Sequence, residues 1–330
     1  MIHLIFTGGT ISMQRDERAG GNVPAHGGEA LVALAPGLRD LGPLRIDDWG
    51  RYPAAHMGPA KLWELRNHVE RVIRTERPAG IVLTHGTDTL EETAYLLART
   101  VDADTPIILT GAMRTSSDAG WDGPGNLTDS VRVAADPASG GRGTLVVFHG
   151  AIFQGGQVAK VETTALAAFA APHAGPVGRI HQDVVEFLTP RSRPLPKVEP
   201  AELAARVCLV PMVLGDSGEL LDLARPGHDG VVLMAFGSGN LPPGAVPAIR
   251  RWLAEGKPVV LASRCLYGAV APMYAFPGGG ATLVREGVIP AGRRTASQAR
   301  MELTICLSAG VEYGYGESGT PDGSEVSGER

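Results

Sequence analysis

The sequence predicts an α/β protein: a larger N-terminal unit on a mostly parallel sheet flanked by helices, then a smaller C-terminal α/β unit. Three observations predict it. Apolar strand-like runs alternate with helical patterns through about residue 190. A proline-rich, basic stretch, Leu188-Thr189-Pro190-Arg191-Ser192-Arg193-Pro194-Leu195-Pro196-Lys197, then resists regular structure. A second set of strand-like runs follows it. These features place an N-terminal domain at residues 1–188, a linker at 189–206, a C-terminal domain at 207–315 and a polar, acidic, disordered tail at 316–330.

The first element is Ile2-His3-Leu4-Ile5-Phe6, β-formers that run into Thr7-Gly8-Gly9-Thr10-Ile11 and so read as a buried strand entering a turn. Gly8 and Gly9 let a backbone approach a ligand closely, and Thr10 stands at the strand's carboxyl end, where open parallel sheets bind ligands. Alone, the pattern also reads as a Gly-Gly turn with a strand-forming threonine. Ile81-Val82-Leu83 is the core of another buried strand, and Asp88-Thr89-Leu90-Glu91-Glu92-Thr93 opens a helix with an oxygen-bearing cap and acids in its first turn. Thr87 and Asp88 therefore sit at a strand-to-helix corner, although Asp88 or Thr89 also suits the plain role of N-cap. A third corner ends Ile107-Ile108-Leu109-Thr110, where Gly111-Ala112-Met113-Arg114 offers backbone groups to the same cleft. Leu145-Val146-Val147-Phe148 is a further strand.

Strands of the C-terminal unit are expected at Val207-Cys208-Leu209-Val210, Gly230-Val231-Val232-Leu233-Met234-Ala235 and Val259-Val260-Leu261-Ala262. After the middle one, Phe236-Gly237-Ser238-Gly239-Asn240 either turns Asn240 toward a cleft or uses that asparagine to stabilise its own turn.

Composition narrows the function classes. The chain has 330 residues, 44% of them apolar, and a net charge of −5, which suits two domains with a sizeable core and argues against nucleic-acid binding. No apolar run is long enough to span a bilayer and no secretory leader precedes the first strand, so the expectation is a cytoplasmic protein without membrane contact. Cys208, Cys265 and Cys306 lie in or near apolar segments and read as reduced small hydrophobes without a disulfide. The nine histidines show no H-E-x-x-H pairing and the cysteines no C-x-x-C spacing, so no metal and no cofactor are expected.

Together, Thr7-Gly8-Gly9-Thr10-Ile11, His85-Gly86-Thr87-Asp88-Thr89-Leu90-Glu91-Glu92-Thr93, Gly111-Ala112-Met113-Arg114 and Asp122-Gly123-Pro124-Gly125-Asn126-Leu127 resemble the bacterial-type L-asparaginase and glutaminase-asparaginase family in order and spacing, up to about Gly310. The resemblance implies an amidohydrolase that cleaves a small side-chain carboxamide to the acid and ammonia. Thr10 would be the nucleophile that forms an acyl-enzyme. Thr87, Asp88 and Lys160 would form a second triad that activates a hydroxyl or water; Lys160 matches the family's lysine in Gln154-Gly155-Gly156-Gln157-Val158-Ala159-Lys160. On composition alone Lys160 reads as a solvated surface lysine. Gly9, Ala54, Ala55, Gly86, Ala112, Met113 and Asn240 fall at substrate-binding positions, with Asn240 reaching a neighbouring subunit's site, which implies a homodimer or homotetramer with sites near the interface.

Two departures bear on the chemistry. Family members bring a tyrosine from the loop after the first threonine motif, yet residues 13–28 contain none; Tyr52 and Tyr274 are the candidates to replace it, and both also read as packing tyrosines. The segment that binds the substrate's α-carboxylate usually carries a serine followed by a glutamine, whereas Pro53-Ala54-Ala55-His56-Met57 has Ala54 and Ala55 there. A lost hydrogen bond to a charged group weakens binding by about 1.5–3 kcal/mol, so free asparagine becomes a poorer substrate unless His56 compensates. Asp88 still suits an α-ammonium group. The acid that relatives supply from the C-terminal domain has only Glu286 as a candidate. A dinucleotide-binding oxidoreductase lacks its G-x-G-x-x-G and a nucleophile-elbow hydrolase its G-x-S-x-G. The remaining rival is a repurposed member that turns over another amide or only binds a ligand.

Overall fold

The computed structural model describes residues 1–191 and 195–314, so the tail expected at 316–330 and part of the proline-rich stretch lie outside the described residues. The first half contains strands β1 (Ile2–Gly8), β2 (Met13–Asp16), β3 (Gly21–Pro24), β4 (Leu44–Tyr52), β5 (Gly80–Thr84), β6 (Ile107–Thr110), β7 (Thr144–Phe148), β8 (Ala151–Gln154), β9 (Ala159–Lys160), β10 (Phe169–Ala170), β11 (Gly178–His181) and β12 (Val184–Phe187). Its helices are α1 (Gly28–Ala33), α2 (Pro59–Glu76), α3 (Leu90–Thr100) and α4 (Gly123–Ala135). The second half runs β13 (Val207–Pro211), α5 (Glu219–Ala224), β14 (Gly230–Ala235), α6 (Val246–Ala254), β15 (Val259–Ser263), α7 (Gly280–Arg285), β16 (Ile289–Pro290) and α8 (Ala296–Ala309).

Among the described residues the large sheet has the order β12-β11-β8-β7-β6-β5-β1-β4 and the small one β13-β14-β15-β16. From β4 to β7 all neighbours are parallel, as they are throughout the small sheet. Both faces of the large sheet are covered, which is why its strands read as unbroken apolar runs. Ile5, Ile81 and Leu83 pack with Leu65, Val69 and Leu96 on one face. Leu4, Phe6 and Val82 pack with Leu31, Leu127 and Val131 on the other. After β1 the chain crosses to β4 on one side and then to β5 on the other, so the order reverses between β1 and β5. Such a switch point opens a crevice beyond the strands' carboxyl ends, the place where open α/β sheets bind ligands.

Two expectations are corrected. The strand and helix alternation stops at β7: β8, β11 and β12 join antiparallel, without intervening helices. His149 and Gly150 between β7 and β8, and Gln182 and Asp183 between β11 and β12, all have positive φ. Two-residue turns of that kind match the twist of a hairpin, whereas a parallel return needs a crossover of about a dozen residues. Thr89 is the N-cap of α3 but makes no side-chain cap; its hydroxyl donates to the Ala54 carbonyl at 3.2 Å instead.

The two halves meet where α3 packs on α8. Arg99 and Glu302, both fully buried, form a 2.9 Å ion pair, and Tyr95 donates to the same carboxylate at 3.2 Å. Burial pushes the Glu302 carboxyl up, but the Arg99 and Arg294 guanidinium groups outweigh it and hold it below the usual carboxylate range. Removing one partner of such a pair strands the other charge in the interior. Glu302→Ala is therefore expected to cost about 3–5 kcal/mol, read as the change in urea unfolding free energy; a loss below about 1 kcal/mol would show that the pair does not clamp the two halves.

Candidate active site

At the switch point two backbone corners touch. Gly8 ends β1 and Gly9 follows it, at φ +107° and +84°, and a Cβ on Gly9 would lie 2.5 Å from both N and Cα of Gly86. A Cβ on Gly86 would in turn lie 2.7 Å from the Ala54 methyl. Three small residues from three segments thus stack in one column, and side chains there would force the corners apart. Thr7 Oγ1 donates to the Thr84 carbonyl at 2.7 Å and joins the two strands just before their ends. Thr10 then starts a short 3-10 turn that closes on itself, because the Ser12 hydroxyl and amide both return to the Gly9 carbonyl at 2.8 and 3.0 Å.

Thr10 and Thr87 each follow a touching glycine, so their backbones stand on adjoining corners; Thr10 is half-buried and Thr87 buried. Lys160 comes from β9 on the far side of the chain. Its Nζ donates to Thr87 Oγ1 at 2.9 Å and to Asp88 Oδ1 at 2.7 Å. The lysine side chain is 18% exposed and the aspartate 72%, so the ammonium lies at the floor of a cleft and the carboxylate at its mouth. That cleft, about 450 Å³, is lined by Asp88, Glu91, Lys160, Val161, Glu162 and Thr163. The arrangement offers a hydroxyl hydrogen-bonded to an amine, beside an acid, with a second hydroxyl across the corner contact.

Several supports were not read as such from sequence. His85 is fully buried, and burial pushes its imidazole below the ordinary value. A neutral ring has one donor and one acceptor; here Nδ1 donates to the Gly86 carbonyl at 2.8 Å and Nε2 accepts from Thr93 at 3.0 Å. Glu91, which looked like a helix-start acid, accepts the Lys160 backbone N–H at 2.6 Å. Burial pushes the Glu91 carboxyl up, against hydrogen bonds from the Lys160 amide and Ser297. At the third corner Asp122 accepts the Met113 and Arg114 amides at 3.0 and 2.9 Å. Asn126 donates to the Gly111 carbonyl at 3.0 Å and accepts the His149 amide at 3.0 Å. The Asp122–Leu127 motif is thus a clamp on two strand ends.

Other expected residues are placed as follows. Ala112 is fully buried, and the Met113 N–H is taken by Asp122, so Met113 offers no free backbone donor through that amide. Ala54 is buried under Gly86, while Ala55 and His56 are exposed beside it. Asn240 closes its turn through its backbone, which exchanges hydrogen bonds with Phe236, while its side chain accepts the amide of Gly280 at the start of α7 at 3.4 Å. Tyr52 packs edge-on against Trp49 with Lys61 above its ring, and exposed Tyr274 packs against Phe276. Both rings are thereby engaged in packing. Glu286 pairs with Arg250 at 2.7 Å, a link between α7 and α6 that occupies the carboxylate. Cys265 is exposed, contrary to the reading of all three cysteines as small hydrophobes, because the turn after β15 carries it out of the sheet. The segment without a tyrosine forms the β2–β3 hairpin, which is tied to the loop after the third corner by Ser116, Ser117 and the 2.8 Å contact of His26 with Ser116.

Residues 1–193 match the family of the asparaginase N-terminal domain, and residues 206–314 that of the glutaminase/asparaginase C-terminal domain. A probable L-asparaginase of Deinococcus radiodurans is 39% identical over 93% of each chain. L-asparaginase 2 of Escherichia coli is 30% identical over 93% of this chain and 88% of its own. The solved structure of a probable cytoplasmic L-asparaginase from Campylobacter jejuni superposes with a TM-score of 0.81 at 27% identity, over 93% of this chain and 94% of that one.

Two outcomes follow from the supports. Gly9→Ala places a Cβ on backbone at positive φ and is expected to cost at least about 1–3 kcal/mol, measured by urea unfolding; a neutral effect would mean that the corners are not in contact. Below the ordinary histidine value of 6.5 the unfolded chain protonates His85 while the folded one resists, so stability falls as pH drops through that window. His85→Gln should flatten the decline between about pH 6.5 and 5, measured as unfolding free energy against pH; an unchanged slope would contradict a buried neutral imidazole.

Proposed function

The chain belongs to the asparaginase family, and we propose that its paired hydroxyls hydrolyse a side-chain carboxamide, L-asparagine or an asparagine-like amide, to the acid and ammonia. The observation that carries this reading is Lys160 Nζ held between Thr87 Oγ1 and Asp88 Oδ1, next to the corner that bears Thr10.

An amide needs an activated nucleophile, stabilisation of the oxyanion and a proton for the departing nitrogen. In the proposed sequence Thr10 Oγ1 forms a bond to the amide carbon, the C–N bond breaks and ammonia leaves with a proton. Water then adds to the ester, the bond to Thr10 breaks and the carboxylic acid departs. Thr87, Lys160 and Asp88 carry the protons: the one that the attacking hydroxyl loses passes along their hydrogen-bonded chain and is returned to the departing nitrogen. Backbone N–H groups at the corners are the candidate oxyanion donors. Asp88, exposed at the cleft mouth, meets a substrate ammonium.

Ala54 and Ala55 favour a second reading of the substrate. Neither offers a side-chain donor for an α-carboxylate, so an amide lacking that group at the same position is the alternative. Self-association is part of the proposal and is supported by exposed Val213, Leu214, Leu220 and Leu223 on the C-terminal half; a dimer or tetramer would set the sites near subunit contacts. No helix among the described residues is long and apolar enough to cross a membrane. Cytoplasmic placement rests on likeness to the Campylobacter jejuni protein.

Ammonia release from asparagine, glutamine and a panel of other amides tests the reading. Thr10→Ala and Thr87→Ala are each expected to lower kcat by about a hundredfold or more. Tight binding of one amide without turnover of any would favour a ligand-binding protein instead. Ala54→Ser should raise kcat/KM on free asparagine by about tenfold; no change would mean that the carboxylate is held elsewhere or is absent from the true substrate.

A further inference from the structure

We infer that Glu91 is a positioning residue that fixes Lys160 through its backbone amide, a role that rests on the reading of Lys160 given above. Lys160 sits on β9, a strand of two residues that among the described residues pairs only with the two residues of β10. So short a ladder is marginal by itself. Two side chains from outside it complete the hold. Glu91, in the first turn of α3, accepts the Lys160 N–H at 2.6 Å, and Gln298, in the first turn of α8, donates to the Val158 carbonyl at 3.1 Å. Helices α3 and α8 thus each hold one backbone group of the segment that carries Lys160.

The consequence is geometric. Thr87 and Asp88 immediately precede α3, and Glu91 is on the first turn of that helix. One short element thus holds both the hydroxyl and the backbone of the lysine that must meet it. An error of about 1 Å in such a pair can cost about a hundredfold in rate.

The test uses three variants of the full chain. Glu91→Gln keeps an oxygen at the same reach, whereas Glu91→Asp keeps the charge but withdraws the oxygen, and Glu91→Ala removes it. Glu91→Gln is expected to stay within about threefold of the parent kcat, and the other two to fall by at least about tenfold with KM within about twofold. Hydrogen exchange at the Lys160 amide gives a readout independent of turnover: slow in the parent and in Glu91→Gln, at least about tenfold faster in Glu91→Asp and Glu91→Ala. Should Glu91→Ala fail to fold, Glu91→Asp against Glu91→Gln decides alone. Equal loss in Glu91→Gln and Glu91→Asp, or full activity with unchanged exchange in Glu91→Asp, overturns the inference. A parent chain that releases no ammonia but shows the expected exchange pattern overturns the functional reading and leaves the positioning role standing.

Discussion

The contact between Gly9 and Gly86 is the constraint on which the site depends. Parallel strands β1 and β5 run side by side, and their ends can meet because Gly9 carries no Cβ, which would fall 2.5 Å from the Gly86 backbone. That contact converts two distant sequence motifs into neighbours and places Thr10 and Thr87 on adjoining corners. Gly111, whose added Cβ would lie 2.5 Å from the His85 carbonyl, extends the same close packing to β6. The sheet's change of direction supplies the crevice, and glycine lets the two corners close on each other there.

Rigidity around the corners comes from buried polar groups that spend their hydrogen bonds on backbone. His85, Asp122 and Asn126 each fix a carbonyl or amide at a strand end. Such networks specify a single geometry when every member has a partner. The mobile chemistry is left to Lys160, which arrives from a weak two-stranded ladder and must be located by helices of both halves. The Arg99–Glu302 pair, near the far end of α3, ties those same two helices together. Clamp and site are thus two ends of one helix.

Strands β1, β5, β6 and β7 and, in the small sheet, β13, β14 and β15 were legible because they are largely buried, which leaves uninterrupted apolar runs; the two-residue β16 left no such run. The hairpins between residues 151 and 187 were not. Their strands are half-exposed, and their turns use His149-Gly150 and Gln182-Asp183 rather than the Asn-Gly or Asp-Gly pairs that announce a hairpin. Thr10, Thr87 and Asp88 stood out through their corners, but Lys160 emerged only from likeness to known enzymes, since nothing in its local sequence reveals a partner 73 residues away. Glu91 was hidden for a different reason: an acid in the first turn of a helix already has a sufficient local explanation in the helix dipole. Tyr274 and Glu286 were proposed by residue type alone, and their partners, Phe276 and Arg250, are tertiary contacts that no local pattern encodes.

The most direct measurement is acid-quench mass spectrometry of the enzyme during turnover of an amide. A transient acyl adduct is expected on the peptide that contains Thr10, decaying as the acid product appears and absent from a chain lacking that hydroxyl. Adduct formation on Thr87 or another residue, or steady ammonia release with no adduct on the slowest amide substrate found, would contradict the assignment of Thr10 as the nucleophile of this corner.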